Sequence, residues 1–126
     1  MPELPEVETI KRAIEKGIGN TTISDIKIRN RKLREIIPED IEENLKNATI
    51  TSYQRIAKYL VISLDNGKSI IWHMGMSGKI KIGGKLNAPE KHDHVVIKTS
   101  KGIITYNDPR RFGLFTYCDT NHLMNH

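Results

Sequence analysis

The amino-acid sequence predicts a mainly β protein: an antiparallel β-sandwich flanked by an N-terminal helix and a short second helix. Three observations carry that prediction. Leu4, Val7, Ile10, Ile14 and Ile18 recur at spacings of three and four, the mark of a helix with one buried face. From Thr49 onward, short runs rich in Val, Ile, Thr and Tyr alternate with Gly, Asn and Asp. Asn66-Gly67 stands between two apolar runs, the strongest short hairpin signal a sequence offers.

Taken in order, the first helix ends in "GIGN", where Gly and Asn suit the left-handed conformation that terminates helices. "TTISDIKIRN" alternates Ile23, Ile26 and Ile28 imperfectly with polar residues and reads as a strand. "NRKLR" is basic and leaves the sheet. "PEDIEENLKN" reads as a short helix with Pro38 at its start and acids in its first turn. Strands follow in "TITSYQRI", "KYLVISL", "KSIIW", "KIKI", "HVVIKTS", "GIITYN" and "GLFTY". The tail "NHLMNH" is helical or irregular. The segments "HMGMSGK" and "KIGGKLNAPEKHDH" are glycine-rich loops between strands, and loops on a rigid scaffold are where function concentrates.

Composition sets the boundaries. At 126 residues, one domain with an ordinary core is expected. A single cysteine, Cys118, precludes an internal disulfide and a cysteine-based zinc site, and fits a reducing, cytoplasmic setting. The longest apolar run, Tyr59 to Ile62, is far too short to span a bilayer as a helix. A net charge of +5 is compatible with a nucleic-acid partner without requiring one.

Five stretches could carry chemistry. In "MPELPEVET", removal of Met1 would expose the secondary amine of Pro2. An α-amino group titrates near pH 7.7–8.0, so part of it is neutral and can attack an aldehyde carbon. Glu3 and Glu6 lie close enough in sequence to move protons. The plainer reading is a helix start with acids at its positive end. In "WHMGMSGK", His73 ends a strand and Met76 sits between Gly75 and Gly78. Met76 either fills core space or projects as an apolar wedge of the kind that enters a DNA base stack. In "YNDPRRFG", a turn presents Arg110, Arg111 and Phe112, two cations for phosphates or base edges and a ring for stacking, or a surface pair beside a buried Phe. In "EKHDHV", His92 and His94 form an H-x-H pair. With His73 they could make a three-histidine metal site, although phosphate contact or ordinary hydrogen bonding explains them as well. In "RIAKYLVI", Lys58 heads a strand among apolar residues, where a lysine can bind phosphate, transfer protons or simply face water.

Taken together and in this order, "MPELPEVET", "AKYL", "HMGMSGK", "EKHDHV" and "NDPRRFG" resemble the formamidopyrimidine-DNA glycosylase family, from Met1 to about Tyr117. The resemblance implies a base-excision repair enzyme, a bifunctional glycosylase and AP lyase that removes oxidised purines from damaged double-stranded DNA. Pro2 is then the nucleophile at C1′, Glu3 the acid at the sugar ring oxygen, and Glu6 a second glutamate near the lesion. Lys58 is the proton donor in β-elimination and a phosphate contact, and His73 and His92 are backbone contacts. Met76, Arg110 and Phe112 fill the gap left by the flipped base. Leu4 favours the formamidopyrimidine branch over the endonuclease VIII branch, which usually has Gly there. The implied domain is 1–117, with 118–126 opening a linker. The family's helix–two-turn–helix and zinc-finger domains, with their one structural zinc, have no counterpart in this sequence. No cofactor or metal is expected in this chain, no membrane partner is expected, and the full-length protein is expected to be a monomer. The isolated chain is expected to be weak or inactive, because phosphate contacts supply most DNA affinity. A non-catalytic DNA-binding module is the alternative.

Overall fold

The computed structural model describes residues 4–84 and 88–125. Helix α1 (Leu4–Gly17) leads into β1 (Ile23–Ile28), then α2 (Ile41–Leu45) and seven further strands. These are β2 (Ile50–Ile56), β3 (Tyr59–Leu64), β4 (Lys68–His73), β5 (Lys79–Gly83), β6 (Asp93–Thr99), β7 (Gly102–Asn107) and β8 (Leu114–Asp119). A 3-10 turn, Thr120–Asn125, closes the described chain. The strands form two four-stranded sheets, β1-β6-β7-β5 and β2-β3-β4-β8, antiparallel throughout. The sandwich with two flanking helices is therefore as expected from the sequence.

The core lies between the sheets. Ile26, Val95, Ile97, Ile104 and Tyr106 of one sheet, together with Ile50, Leu60, Ile62, Ile70, Trp72 and Phe115 of the other, belong to a single buried cluster. Trp72 packs edge-on against Tyr106 (5.4 Å) and Phe115 (4.8 Å), which ties the two sheets together. Helix α1 packs against edge strands β2 and β5 and adds Ile14 and Ile18 to the cluster. Each such isoleucine contributes roughly 1.5–3 kcal/mol by leaving water. Helix α2 packs on edge strand β1, and Asp40 just before it accepts a 2.9 Å hydrogen bond from Tyr117 on edge strand β8.

Three local features refine the sequence reading. The imperfect alternation in β1 reflects a register shift between Ile23 and Asp25 where it pairs with β6. The second helix starts at Ile41 rather than at Pro38, because residues 39–40 form a turn in which the Ile41 amide donates to the Pro38 carbonyl at 3.2 Å. β8 runs to Asp119, two residues past the expected Tyr117 boundary. Among the described residues, no helix is long and apolar enough to cross a membrane.

Candidate DNA-engaging site

The connections β2–β3, β4–β5 and β7–β8 gather at one end of the sandwich. Strand pairing requires it: His73 ends β4 opposite Leu114, which begins β8, and Tyr59 begins β3 directly after the Ala57–Lys58 turn. The β4–β5 and β7–β8 connections both cross from one sheet to the other there. Helix α1 is aimed the same way. Near its start, Glu8 pairs with Arg55 at 3.2 Å, close to the β2–β3 turn. Just past its end, the Gly19 carbonyl accepts from Tyr53 Oη at 2.7 Å, toward the far end of β2. The α1 N-terminus, two residues after Pro2, thus points to the end that holds Lys58. Pro2 and Glu3 lie outside the described residues; Glu6 is exposed in the first turn of α1.

Two groups of side chains occupy this end. The first surrounds His73, which is buried and stacked edge-on against Tyr59 at 5.2 Å. Its Nδ1 accepts the Gly75 N–H at 3.0 Å, so the ring proton resides on Nε2. Burial lowers the His73 pKa below 6.5, and the charges of Arg34 and Lys58 lower it further. A neutral imidazole beside two cations suits a phosphate, to which Nε2–H can donate. Because unfolding restores the ordinary pKa, the unfolded chain binds more protons, and His73 makes stability fall as pH drops below about 6.5 until the lowered folded-state pKa is passed. Urea midpoints measured between pH 7.5 and 5 should show this slope, and His73→Asn should flatten it.

The second group is the exposed set. Met76 is 57% exposed and Phe112 46% exposed, against the tendency of such side chains to be buried. Core filling, the better reading of Met76 in isolation, is therefore not what the fold does with it. The Arg110 guanidinium lies 4.9 Å from the Phe112 ring centroid. Arg111 between them has φ +58, a left-handed kink that a non-glycine residue adopts only at a cost. The loop is held from below by Asp108, fully buried, whose carboxylate accepts four hydrogen bonds. Burial alone would raise the Asp108 pKa, but these donors outweigh it and the group stays ionised, below the ordinary range.

The two histidines of the H-x-H pair do different jobs. His92 lies in the turn before β6, and its carbonyl accepts the Asp108 N–H at 3.0 Å. His94 is buried, with Nε2 2.7 Å from the Asp108 carbonyl oxygen. Their rings are 6.3 Å apart, and no group of three or more His, Cys, Asp or Glu among the described residues is arranged to hold a metal. The three-histidine alternative does not assemble. Sequence reasoning missed Arg34, Tyr59 and Asp108. Arg34 was part of a basic run and Asp108 only a turn former, and nothing in the chain order placed either against His73 or Ser77.

Known proteins share this fold. The family model for the formamidopyrimidine-DNA glycosylase N-terminal domain matches residues 1–115. A formamidopyrimidine-DNA glycosylase of Photobacterium damsela subsp. piscicida is 46% identical over 125 residues, covering 97% of this chain and 46% of that protein. One from Legionella pneumophila (strain Lens) is 42% identical over 122 residues, covering 96% and 44%. The chain thus spans a little under half the length of these curated relatives. The solved structure of the Lactococcus lactis enzyme non-covalently bound to DNA containing an AP site superimposes with a TM-score of 0.91 at 31% identity, covering 98% of this chain and 48% of that one. A complex of an inhibited Lactococcus lactis enzyme with DNA containing N7-benzyl-Fapy-dG gives 0.90 at 31% identity, with 98% and 46% covered. The chain belongs to the formamidopyrimidine-DNA glycosylase family and corresponds to its N-terminal domain.

Proposed function

We propose that this chain is the catalytic, lesion-engaging half of a base-excision repair enzyme, a DNA glycosylase and AP lyase acting on oxidised purines such as 8-oxoguanine and formamidopyrimidines in double-stranded DNA. One observation carries the reading: an apolar thioether, a guanidinium and an aromatic ring stand exposed on rigid loops at the end of the sandwich toward which the α1 N-terminus points. A sugar carbon inside a stacked duplex is out of reach, so the nucleotide has to be extruded. Met76, Arg110 and Phe112 are suited to occupy the vacated space and to contact the orphaned partner base.

The chemistry follows from an amine at the chain start. The neutral Pro2 nitrogen donates its lone pair to C1′, the glycosidic electron pair leaves with the base, and the N–H proton that Pro2 then sheds goes to the departing base. Glu3 supplies a proton to the ring oxygen as the sugar opens, leaving an iminium between Pro2 and C1′. That iminium acidifies the C2′ hydrogens, so the 3′ phosphate departs by β-elimination and the 5′ phosphate by δ-elimination. In this reading Lys58, in the turn before β3, donates protons and holds a phosphate, with Glu6 near the lesion. His73 and His92 serve as backbone contacts. Because more than half the length of its relatives has no counterpart here, the chain alone is expected to bind DNA weakly and to turn over slowly or not at all.

Affinity for a duplex with one abasic site, compared with the same duplex intact, tests the wedge. The chain should prefer the abasic duplex, and Phe112→Ala should reduce that preference about tenfold, in the range of one lost base–aromatic stack. Equal affinity for both duplexes at low salt would count against the reading.

A further inference from the structure

The Asp108 carboxylate makes a connection that turn formation does not require. Its Oδ1 accepts Ser77 Oγ–H at 2.6 Å and Arg111 N–H at 3.1 Å, while its Oδ2 accepts Tyr106 Oη–H at 2.8 Å and Gly113 N–H at 2.9 Å. Ser77 Oγ in turn accepts the Arg110 N–H at 3.2 Å. Ser77 follows Met76 directly, and Arg111 and Gly113 bracket Phe112. Each of the three exposed side chains is therefore next in sequence to a residue that hydrogen-bonds the same buried anion. The backbones of the two loops are also in contact, since a Cβ added at Gly75 would lie 2.7 Å from the Gly113 nitrogen.

We propose that Asp108 is a positioning residue that joins the Met76 turn to the Arg110–Phe112 loop, so that thioether, guanidinium and ring enter a vacated base position as one unit rather than singly. This rests on the DNA reading above. Asp108 itself is fully buried, so its role is exerted through the loops. Each loop has bonds of its own, Tyr106 Oη–H to the Met74 carbonyl at 3.2 Å and Arg34 N–H to the Gly113 carbonyl at 3.2 Å, but Ser77 is what ties the Met76 turn to the second loop, accepting the Arg110 N–H and donating to Asp108, which also receives the N–H of the left-handed Arg111.

The test is a double-mutant cycle of Met76→Ala and Phe112→Ala, read as preference for the abasic over the intact duplex, in the wild-type and Asp108→Asn backgrounds. In the wild-type background either change should remove the joint insertion, so the double variant should lose no more than about the tenfold lost by a single one. In Asp108→Asn, where one of the two carboxylate oxygens becomes an amide nitrogen that accepts no hydrogen bond, so that either the Ser77 and Arg111 donors or the Tyr106 and Gly113 donors lose their acceptor, the two losses should become independent and multiply. Ser77→Ala, which leaves the other three bonds to Asp108 in place, should weaken the coupling partially and covers the case in which Asp108→Asn does not fold by circular dichroism. Coupling that persists unchanged in the folded Asp108→Asn chain, or in Ser77→Ala where that chain does not fold, overturns the proposal and leaves the DNA reading intact. A wild-type chain with no abasic preference overturns both.

Discussion

Gly113→Ala is expected to lower the unfolding free energy by about 3 kcal/mol, at the upper end of what overpacking costs, while Gly84→Ala is expected to change it little. A Cβ at position 113 would lie 1.7 Å from Tyr106 Oη and 2.7 Å from the His73 carbonyl oxygen. Neither neighbour can move freely. Tyr106 is fully buried between Trp72 and Asp108, and its hydroxyl donates to the Asp108 carboxylate, while the His73 carbonyl belongs to β4 backbone. The methyl would push β4 away from the 108–113 loop and break the Gly113 N–H bond to Asp108, leaving a buried anion short of a donor. At Gly84 no atom of the described residues lies within 4 Å of an added Cβ. Chemical denaturation of both variants measures the contrast, and comparable midpoints would refute the packing account. Because Gly113 borders Phe112, the destabilised variant should also lose its preference for an abasic duplex.

The second large effect concerns the chain start. Converting the Pro2 amine into an amide, by acetylation or by a retained preceding residue, is expected to abolish covalent capture of an abasic site by Pro2. An amide nitrogen has no lone pair available for attack, so the loss should be complete rather than graded. With the amine free, the rate of capture should rise with pH through about 7.7–8.0, the ordinary range of an α-amino group, because only the deprotonated form is nucleophilic. A rate that is flat across this range in the free chain would point to another nucleophile.

How much of this was legible in the sequence depends on the range of the interaction. The helix at Leu4–Gly17, the Asn66-Gly67 hairpin and the alternating strands follow from local periodicity and turn chemistry, and each forms at its expected place in the chain, with β8 two residues longer. The exposure of Met76 and Phe112 ran against their own neighbourhoods, where a thioether between glycines and a Phe beside two arginines read better as core than as surface. The family resemblance carried by five motifs in order implied that exposure. The role of Asp108 was not legible because, although Tyr106, Arg111 and Gly113 are its neighbours in sequence, its remaining donor Ser77 meets it only where the β4–β5 and β7–β8 loops come together at one end of the sandwich. His94 shows the converse: an H-x-H pair is a local pattern, yet its second member is committed to the Asp108 carbonyl fourteen residues away.

The most direct test of the central claim is borohydride trapping. The chain, with Met1 removal verified by mass spectrometry, is mixed with a duplex carrying an abasic site and reduced with borohydride, and the covalent product is mapped by peptide sequencing. The account predicts an adduct on the Pro2 nitrogen, from this chain or, if binding is too weak, from one extended by the half its relatives possess, and none once the amine is blocked. No adduct from either chain, or an adduct on a lysine that survives blocking of Pro2, would contradict it.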